Sequence, residues 1–192
     1  MCGRYFIEVS DEVLREICEE IQRGQQKRAP EEQLTIKFDG EIFPTDVVPV
    51  QTGDALYQPM KWGFTGFQGK RPVINARSET ALEKPMFRFP MREQRCLIPA
   101  SGYYEWKQEG SRKIKYKLFD PQNPLFFAGC YRQEHDSDLA RFVILTRAAA
   151  PDIAMIHDRM PVVIPRQLAG AWLNESPDVL DSAITDLQFQ PA

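Results

Sequence analysis

Fifteen prolines are scattered through this 192-residue chain, the first of them Pro30. A proline fixes its own φ, lacks an N–H and interrupts a helix interior or a central strand. Prolines scattered in this way favour many short elements over a few long ones. The segment before Pro30 has room for a longer helix, and its pattern specifies one. Ser10 reads as the N-cap, Asp11 and Glu12 fall in the first turn, and Gly24 stands past the end. Val13, Leu14, Ile17, Cys18 and Ile21 form its apolar stripe, and Val9 with Leu14 is placed as a hydrophobic staple.

Arg4 to Val9 alternates enough for a first strand. Further strand-like runs with turn signals cover 34–38, 47–50, 55–64, 71–76, 95–98, 102–106, 114–119, 125–131, 141–146 and 161–164. Residues 107–112 read as the turn of a hairpin. Short helical pieces fit 78–82, 87–93, 151–157 and 166–173. The expected architecture is a single domain over residues 1–192, α+β, with a mostly antiparallel, barrel-like β core and a few flanking helices.

Composition removes several function classes. With 43% hydrophobic and 11% aromatic residues the chain can bury a core. No apolar run approaches the ~20 residues of a membrane span. The N-terminus lacks the basic-then-apolar pattern of a secretory signal, so a cytoplasmic protein without membrane association is expected. Cys18, Cys96 and Cys130 are widely spaced in apolar settings and read as core thiols. With no paired Cys or Cys/His spacing, neither a metal nor another cofactor is expected. The net charge is −3, yet Lys61 to Lys117 holds thirteen Lys/Arg against five Asp/Glu, a net of +8 that leaves −11 on the rest. Such segregation fits either one basic surface on an acidic body or a segment whose charges intermix on folding.

The second residue carries the sharpest chemistry. Removal of Met1 would leave Cys2 first, with a thiol and an α-amine on adjacent carbons. The amine titrates near ~7.7–8.0 and the thiol near ~8.5, so a fraction of each is nucleophilic at neutral pH. A 1,2-aminothiol condenses with an aldehyde to a Schiff base and then closes to a thiazolidine, which an internal cysteine cannot do. The plain alternative is an ordinary cysteine at a frayed terminus.

Glu105 shares a strand face with Tyr103, opposite Tyr104 and Trp106. If that face is buried, the carboxylate must be paired or suited to acid–base work. If it is not, Lys113, Lys115 or Lys117 is a cross-strand partner. Asn75 and Arg77 alternate onto one face of a strand leading into 78–80, an amide and a guanidinium suited to phosphate or sugar, or equally a turn with a solvated arginine. Only two histidines exist. His135 lies in a polar loop, whereas His157, beside Asp158 and Arg159, is open to either a packing or a catalytic role. Trp62, Phe64, Tyr104 and Trp106 could stack on bases or fill the core.

Taken together, these segments resemble the SOS-response-associated peptidase family, the abasic-site processing proteins. The matching pieces are Met-Cys-Gly-Arg-Tyr at 1–5, Trp-Gly at 62–63, Asn-Ala-Arg-Ser-Glu-Thr at 75–80, Arg-Cys-Leu-Ile-Pro at 95–99, Gly-Tyr-Tyr-Glu-Trp at 102–106, Phe-Ala-Gly at 127–129, Thr146, and His-Asp-Arg-Met-Pro at 157–161. The resemblance implies recognition of abasic sites in single-stranded DNA and a covalent crosslink. It implies catalytic roles for Cys2, Asn75, Glu105 and His157, and DNA contacts from Arg4, Trp62, Phe67, Arg77, Trp106 and Arg159. A weak lyase activity and self-removal of the first residue are further implications, and a monomer is expected. One departure stands out. After Trp62-Gly63 the family continues with an aliphatic residue, a proline and a second tryptophan; here the chain reads Phe64-Thr-Gly-Phe67, and Phe67 is the replacement expected for that tryptophan.

Two other readings remain open. Met-Cys-Gly also begins glutamine amidotransferase domains, in which Cys2 would attack an amide with its own amine as base. A noncatalytic single-strand or modified-base reader would leave Cys2 incidental.

Overall fold

The computed structural model describes residues 2–27, 29, 33–53, 56–66, 71–135 and 137–192. Its elements run β1 (Tyr5–Ile7), α1 (Glu12–Gln26), β2 (Gly40–Ile42), β3 (Val47–Thr52), β4 (Tyr57–Trp62), β5 (Asn75–Arg77), α2 (Pro85–Glu93), β6 (Arg95–Ala100), β7 (Gly102–Glu109), β8 (Arg112–Phe119), β9 (Leu125–Arg132), β10 (Arg141–Ala148), α3 (Pro151–Ala154), β11 (Arg159–Pro161), α4 (Ala169–Asn174) and β12 (Gln188–Pro191). Short 3-10 turns cover Arg166–Leu168 and Pro177–Ser182.

The strands form two sheets. The smaller is antiparallel throughout, in the order β12-β8-β7-β1-β2. The larger runs β11-β10-β4-β3-β6-β9, with β5 beside β10 and β9 also paired to β10. The barrel expected from sequence is therefore only approached. The larger sheet curls back on itself, but the β3–β6 and β4–β10 joints hold two residue pairs each, and the smaller sheet stays open. Pro49 of β3 lies opposite Pro59 of β4, a position at which neither strand can donate a hydrogen bond.

Aromatic rings knit the sheets together. Tyr5 of the smaller sheet meets Trp62 edge-on at 5.2 Å and Phe127 at 5.9 Å, and Tyr103 meets Phe127 at 6.2 Å. All four are fully buried, and offset or edge-on ring pairs of this kind add to the area they bury. Gly102 permits the close approach of β1 to β7. A Cβ there would lie 2.6 Å from the Phe6 ring, which crosses the space above it. Buried Arg95 donates to the carbonyls of Met91 and Arg92 at the end of α2 and to Trp172 in α4, while the Trp172 indole donates to Cys96 O at 2.8 Å. The motif at 95–99 thus fastens two helices to β6. Buried Glu134 receives the Thr65 N–H at 2.9 Å and the Thr65 hydroxyl, with Arg132 at 2.7 Å and Arg141 at 2.9 Å, so it ties the exit of β4 to the exit of β9.

Several local expectations change. Asp11, not Ser10, caps α1, its carboxylate accepting the Leu14 N–H at 3.1 Å. The helix passes through Gly24, which faces open space, and ends at Gln26. Residues 78–83 form hydrogen-bonded turns instead of a helix, and 34–38 lack a strand ladder although Lys37 N bonds to Val47 O. Strands β2 and β12 were not anticipated. Cys18, Cys96 and Cys130 are buried free thiols.

Candidate active site

Cys2 leads into β1 and is fully buried. Its carbonyl accepts Asn75 Nδ2 at 2.8 Å, and its Sγ points to Arg4 O at 3.7 Å. The Arg4 carbonyl is also bonded by Tyr104 N at 2.9 Å, so the approach to Cys2 is stitched to β7 and its downstream side to β5. Alternation along β7 turns Glu105 inward with Tyr103, and Glu105 is 3% exposed. Burial, and after it the Glu105 carboxylate, pushes the Cys2 thiol well above its ordinary value. Burial, with the Glu105 carboxylate adding to it, does the same for the Tyr103 phenol. Around this group the Tyr5 and Tyr103 hydroxyls and Asn75 Oδ1 hold hydrogen-bonding capacity that no described residue takes up.

The second half of the site hangs on β10. Thr146 is flanked by Arg77 of β5 on one side and Pro161 of β11 on the other, which sets the Asn75–Arg77 and Arg159–Pro161 strands on either side of β10. Fully buried Thr146 donates to Ala76 O at 3.4 Å, and its carbonyl accepts Arg159 Nη2 at 2.6 Å. Arg159 also grips Glu79 with both terminal nitrogens, at 2.6 and 2.8 Å. Those hydrogen bonds hold the Glu79 carboxyl down to about 2 against burial, which acts the other way. His157 is partly exposed, and its Nδ1 accepts the Arg159 backbone N–H at 3.0 Å and lies 2.9 Å from Asp158 Oδ1. These two contacts require opposite protonation of Nδ1. The backbone bond has the fixed partner, whereas the Asp158 side chain is 86% exposed, so the geometry favours Nδ1 as an acceptor from Arg159 N.

A model of the family described as SOS response associated peptidase (SRAP) matches residues 1–191. The chain belongs to the SRAP family. Among curated relatives it is 40% identical over 120 residues to the abasic site processing protein YoaM of Bacillus subtilis, covering 58% of this chain and 53% of that protein. It is 35% identical over 121 residues to the abasic site processing protein YedK of Escherichia coli, covering 61% and 54%. The chain spans about half the length of the curated relatives it matches. A crystal structure of a protein from Bacteroides thetaiotaomicron superposes with a TM-score of 0.78 at 24% identity, covering 99% of this chain and 91% of that one, a likeness of fold.

Within this SRAP chain the residues expected to touch DNA are placed unevenly. Arg77 is exposed at the end of β5. Arg4 is half-buried, its guanidinium 4.0 Å from the Phe43 ring centre and 5.4 Å from that of Trp106, with Glu41 at 3.4 Å. Trp106 is half-buried on the outer face of β7. Arg159 is engaged by Glu79 and Thr146. Trp62 is fully enclosed, its indole donating to Ile74 O at 3.0 Å and its ring stacked on Phe142. The stacking role expected of Trp62 is withdrawn, because neither ring face reaches the surface. Phe67 and Met1 lie outside the described residues. Glu79, Thr146 and Tyr5 were not singled out from sequence as parts of the site. Thr146, which closes the apolar run Phe142–Leu145, was quoted only as a matching piece, as were Tyr5 within 1–5 and Glu79 within 75–80.

Proposed function

We propose that this SRAP protein senses abasic sites in single-stranded DNA and crosslinks to them through Cys2 after loss of Met1, shielding the lesion during the DNA damage response. The observation that carries the reading is the meeting of Asn75, Glu105 and Cys2. Asn75 pins the Cys2 carbonyl, which leaves the amine and thiol to react, and the buried Glu105 carboxylate stands beside that thiol. The names of the relatives support the same substrate.

The chemistry runs in three steps. Glu105 shuttles a proton during opening of the abasic deoxyribose, exposing its C1′ aldehyde. The Cys2 α-amine adds to that carbon, and loss of one water gives the imine. The thiol then adds across the C=N bond: an S–C bond forms and the thiol proton passes by way of Glu105 to nitrogen, leaving a thiazolidine. A thiol kept protonated by burial and by Glu105 suits the second position in this order, since it attacks an already activated carbon. His157 assists proton transfer and holds a sugar hydroxyl, Asn75 positions Cys2, and Arg77 takes a flanking phosphate. The imine also permits strand cleavage by β-elimination, and self-removal of Met1 accounts for the family's peptidase name.

Intact mass spectrometry after incubation with an abasic oligonucleotide tests this. The expected result is loss of the Met1 mass and a heat-stable, DNA-sized adduct that Cys2→Ala abolishes while reversible binding persists. Cys2→Ser should give only an imine trapped by borohydride. A stable adduct from the alanine variant would sink the mechanism. Duplex DNA should be a poor substrate unless the lesion lies at a single-strand junction; equal rates on fully paired DNA would contradict the single-strand reading.

A further inference from the structure

The outer face of the smaller sheet carries a continuous row of cations laid on aromatic rings. Lys117 Nζ lies 4.4 Å from the Phe6 ring centre and 5.5 Å from that of Phe119. Lys115 Nζ lies 3.7 Å from Tyr104 and 5.9 Å from Trp106, and Trp106 leads on to Arg4. Register places Lys113, Lys115 and Lys117 on this same face, opposite Gln108, Trp106 and Tyr104. The principal helix packing falls elsewhere, α1 on β3 and β4, α2 on β6 and β9, and α4 on β6.

We infer that the β8 lysine row is a track for the single strand leading away from the abasic site, with Lys113, Lys115 and Lys117 each taking one of three successive phosphates. The inference rests on the proposed DNA substrate and extends it beyond the residues at the lesion. Its geometric basis is spacing. Side chains two residues apart on an antiparallel strand are about 6.8 Å apart, which approaches the distance between neighbouring phosphates of an extended single strand.

Two carboxylates now occupy the row. Lys115 pairs with Glu41 at 2.6 Å and Lys117 with Glu8 at 2.8 Å. Glu8 is half exposed, and solvent-facing pairs of this kind are weak, so exchange of carboxylate for phosphate at Lys117 is cheap. The rings beneath restrain the Lys115 and Lys117 stems before any ligand arrives, which lowers the ordering cost on binding. Arg4 connects the row to the site, since it follows Cys2 by two residues and contacts Trp106. Gln188 and Gln190 of β12 flank the far side opposite Phe119 and Lys117, adding amides and no negative charge.

The test compares two oligonucleotides that carry a tetrahydrofuran lesion, which has no aldehyde and so reports binding alone: a trinucleotide and a strand of about 15 nucleotides, near the upper site size for one single-strand module. At about 0.7 per phosphate, the triple variant K113Q/K115Q/K117Q should lower the log–log salt slope for the long strand by about 2. It should weaken that strand's binding about tenfold or more near ~0.1 M salt, while the trinucleotide binds as before. Lys113→Gln alone, at an exposed side chain, should show about one third of the slope change and guards against a folding defect. An unchanged slope and affinity in the triple variant would overturn the inference, as would an equal loss on both lengths. Crosslinking of an aldehyde-bearing trinucleotide is followed separately. Its absence in the unmodified protein defeats the proposed chemistry, whereas a length-dependent slope change upholds the track whatever the crosslink shows.

Discussion

Replacing Glu79 with glutamine should weaken the joint between the two halves of the site by a calculable amount. Glu79 accepts two charge-assisted hydrogen bonds from Arg159, at 2.6 and 2.8 Å. Glutamine keeps one neutral acceptor and turns an NH2 group toward the guanidinium. Hydrogen bonds to charged groups are worth about 1.5–3 kcal/mol. Arg159 is only 12% exposed, but Glu79 is 48% exposed, so water replaces part of what is lost. The expected loss is therefore about 1–2 kcal/mol, and a fall in Tm of about 2–8 °C for a protein of this size. The pH dependence sharpens the test. The Glu79 carboxyl is held at about 2 in the folded protein against an ordinary value of 4.5. A lowered folded value means stability that is present above about 4.5 and is lost as pH falls toward 2. The gap between wild type and Glu79→Gln should be widest at pH 7, narrow below about 4.5 and close near pH 2, because other carboxylates titrate alike in both proteins. Urea unfolding across that range reads the difference directly. No gap at neutral pH, or one that stays constant on acidification, would refute the reasoning.

Other outcomes follow from packing and burial. Gly102→Ala drives a Cβ into the Phe6 ring and the Leu118 carbonyl; the backbone cannot yield as a side-chain tip would, so a loss of about 2–3 kcal/mol is expected in denaturant unfolding, and a loss under 0.5 kcal/mol would mean that β1 shifts freely. Glu134→Ala removes the carboxylate shared by Thr65, Arg132 and Arg141, stranding two partly buried cations; about 3 kcal/mol should disappear in the same assay, and a neutral result would show that water already serves those arginines. Burial raises the Cys130 thiol from 9.0 to about 12 and the Cys18 thiol to about 11. Groups raised in the folded state stabilise below their ordinary values, so unfolding free energy should fall as pH rises from about 9 to 12, and a flat alkaline limb would contradict the burial of these thiols.

Sequence pattern captured what depends on local chemistry. The β7–β8 hairpin was legible because alternating aromatic and basic residues flank a polar turn, and Gly110 there has φ +59°. Glu105 was legible by parity alone, since strand alternation fixes which face it shares with Tyr103. Less local features escaped. Ser10 and Asp11 are both able caps, and only the helix's docking decides between them. Gln188–Pro191 carries no strand signature; it pairs with β8 because β8 offers an open edge. Trp62 looked the same as Trp106 in sequence, yet one fills the space between sheets and the other lies on the outer face. The pairing of Arg159 with Glu79 spans eighty positions and depends on β10 standing between β5 and β11.

The grip of Asn75 on Cys2 falls on the carbonyl, downstream of the α-carbon. Everything that excision of the first residue alters lies upstream of that atom. The proposed loss of Met1 would therefore exchange an amide for a free amine with the register of β1, set by Tyr5 opposite Ile42 and Tyr103, left as it is. On the proposed chemistry, the fold would be finished before the amine is freed, and cutting a single bond would arm it.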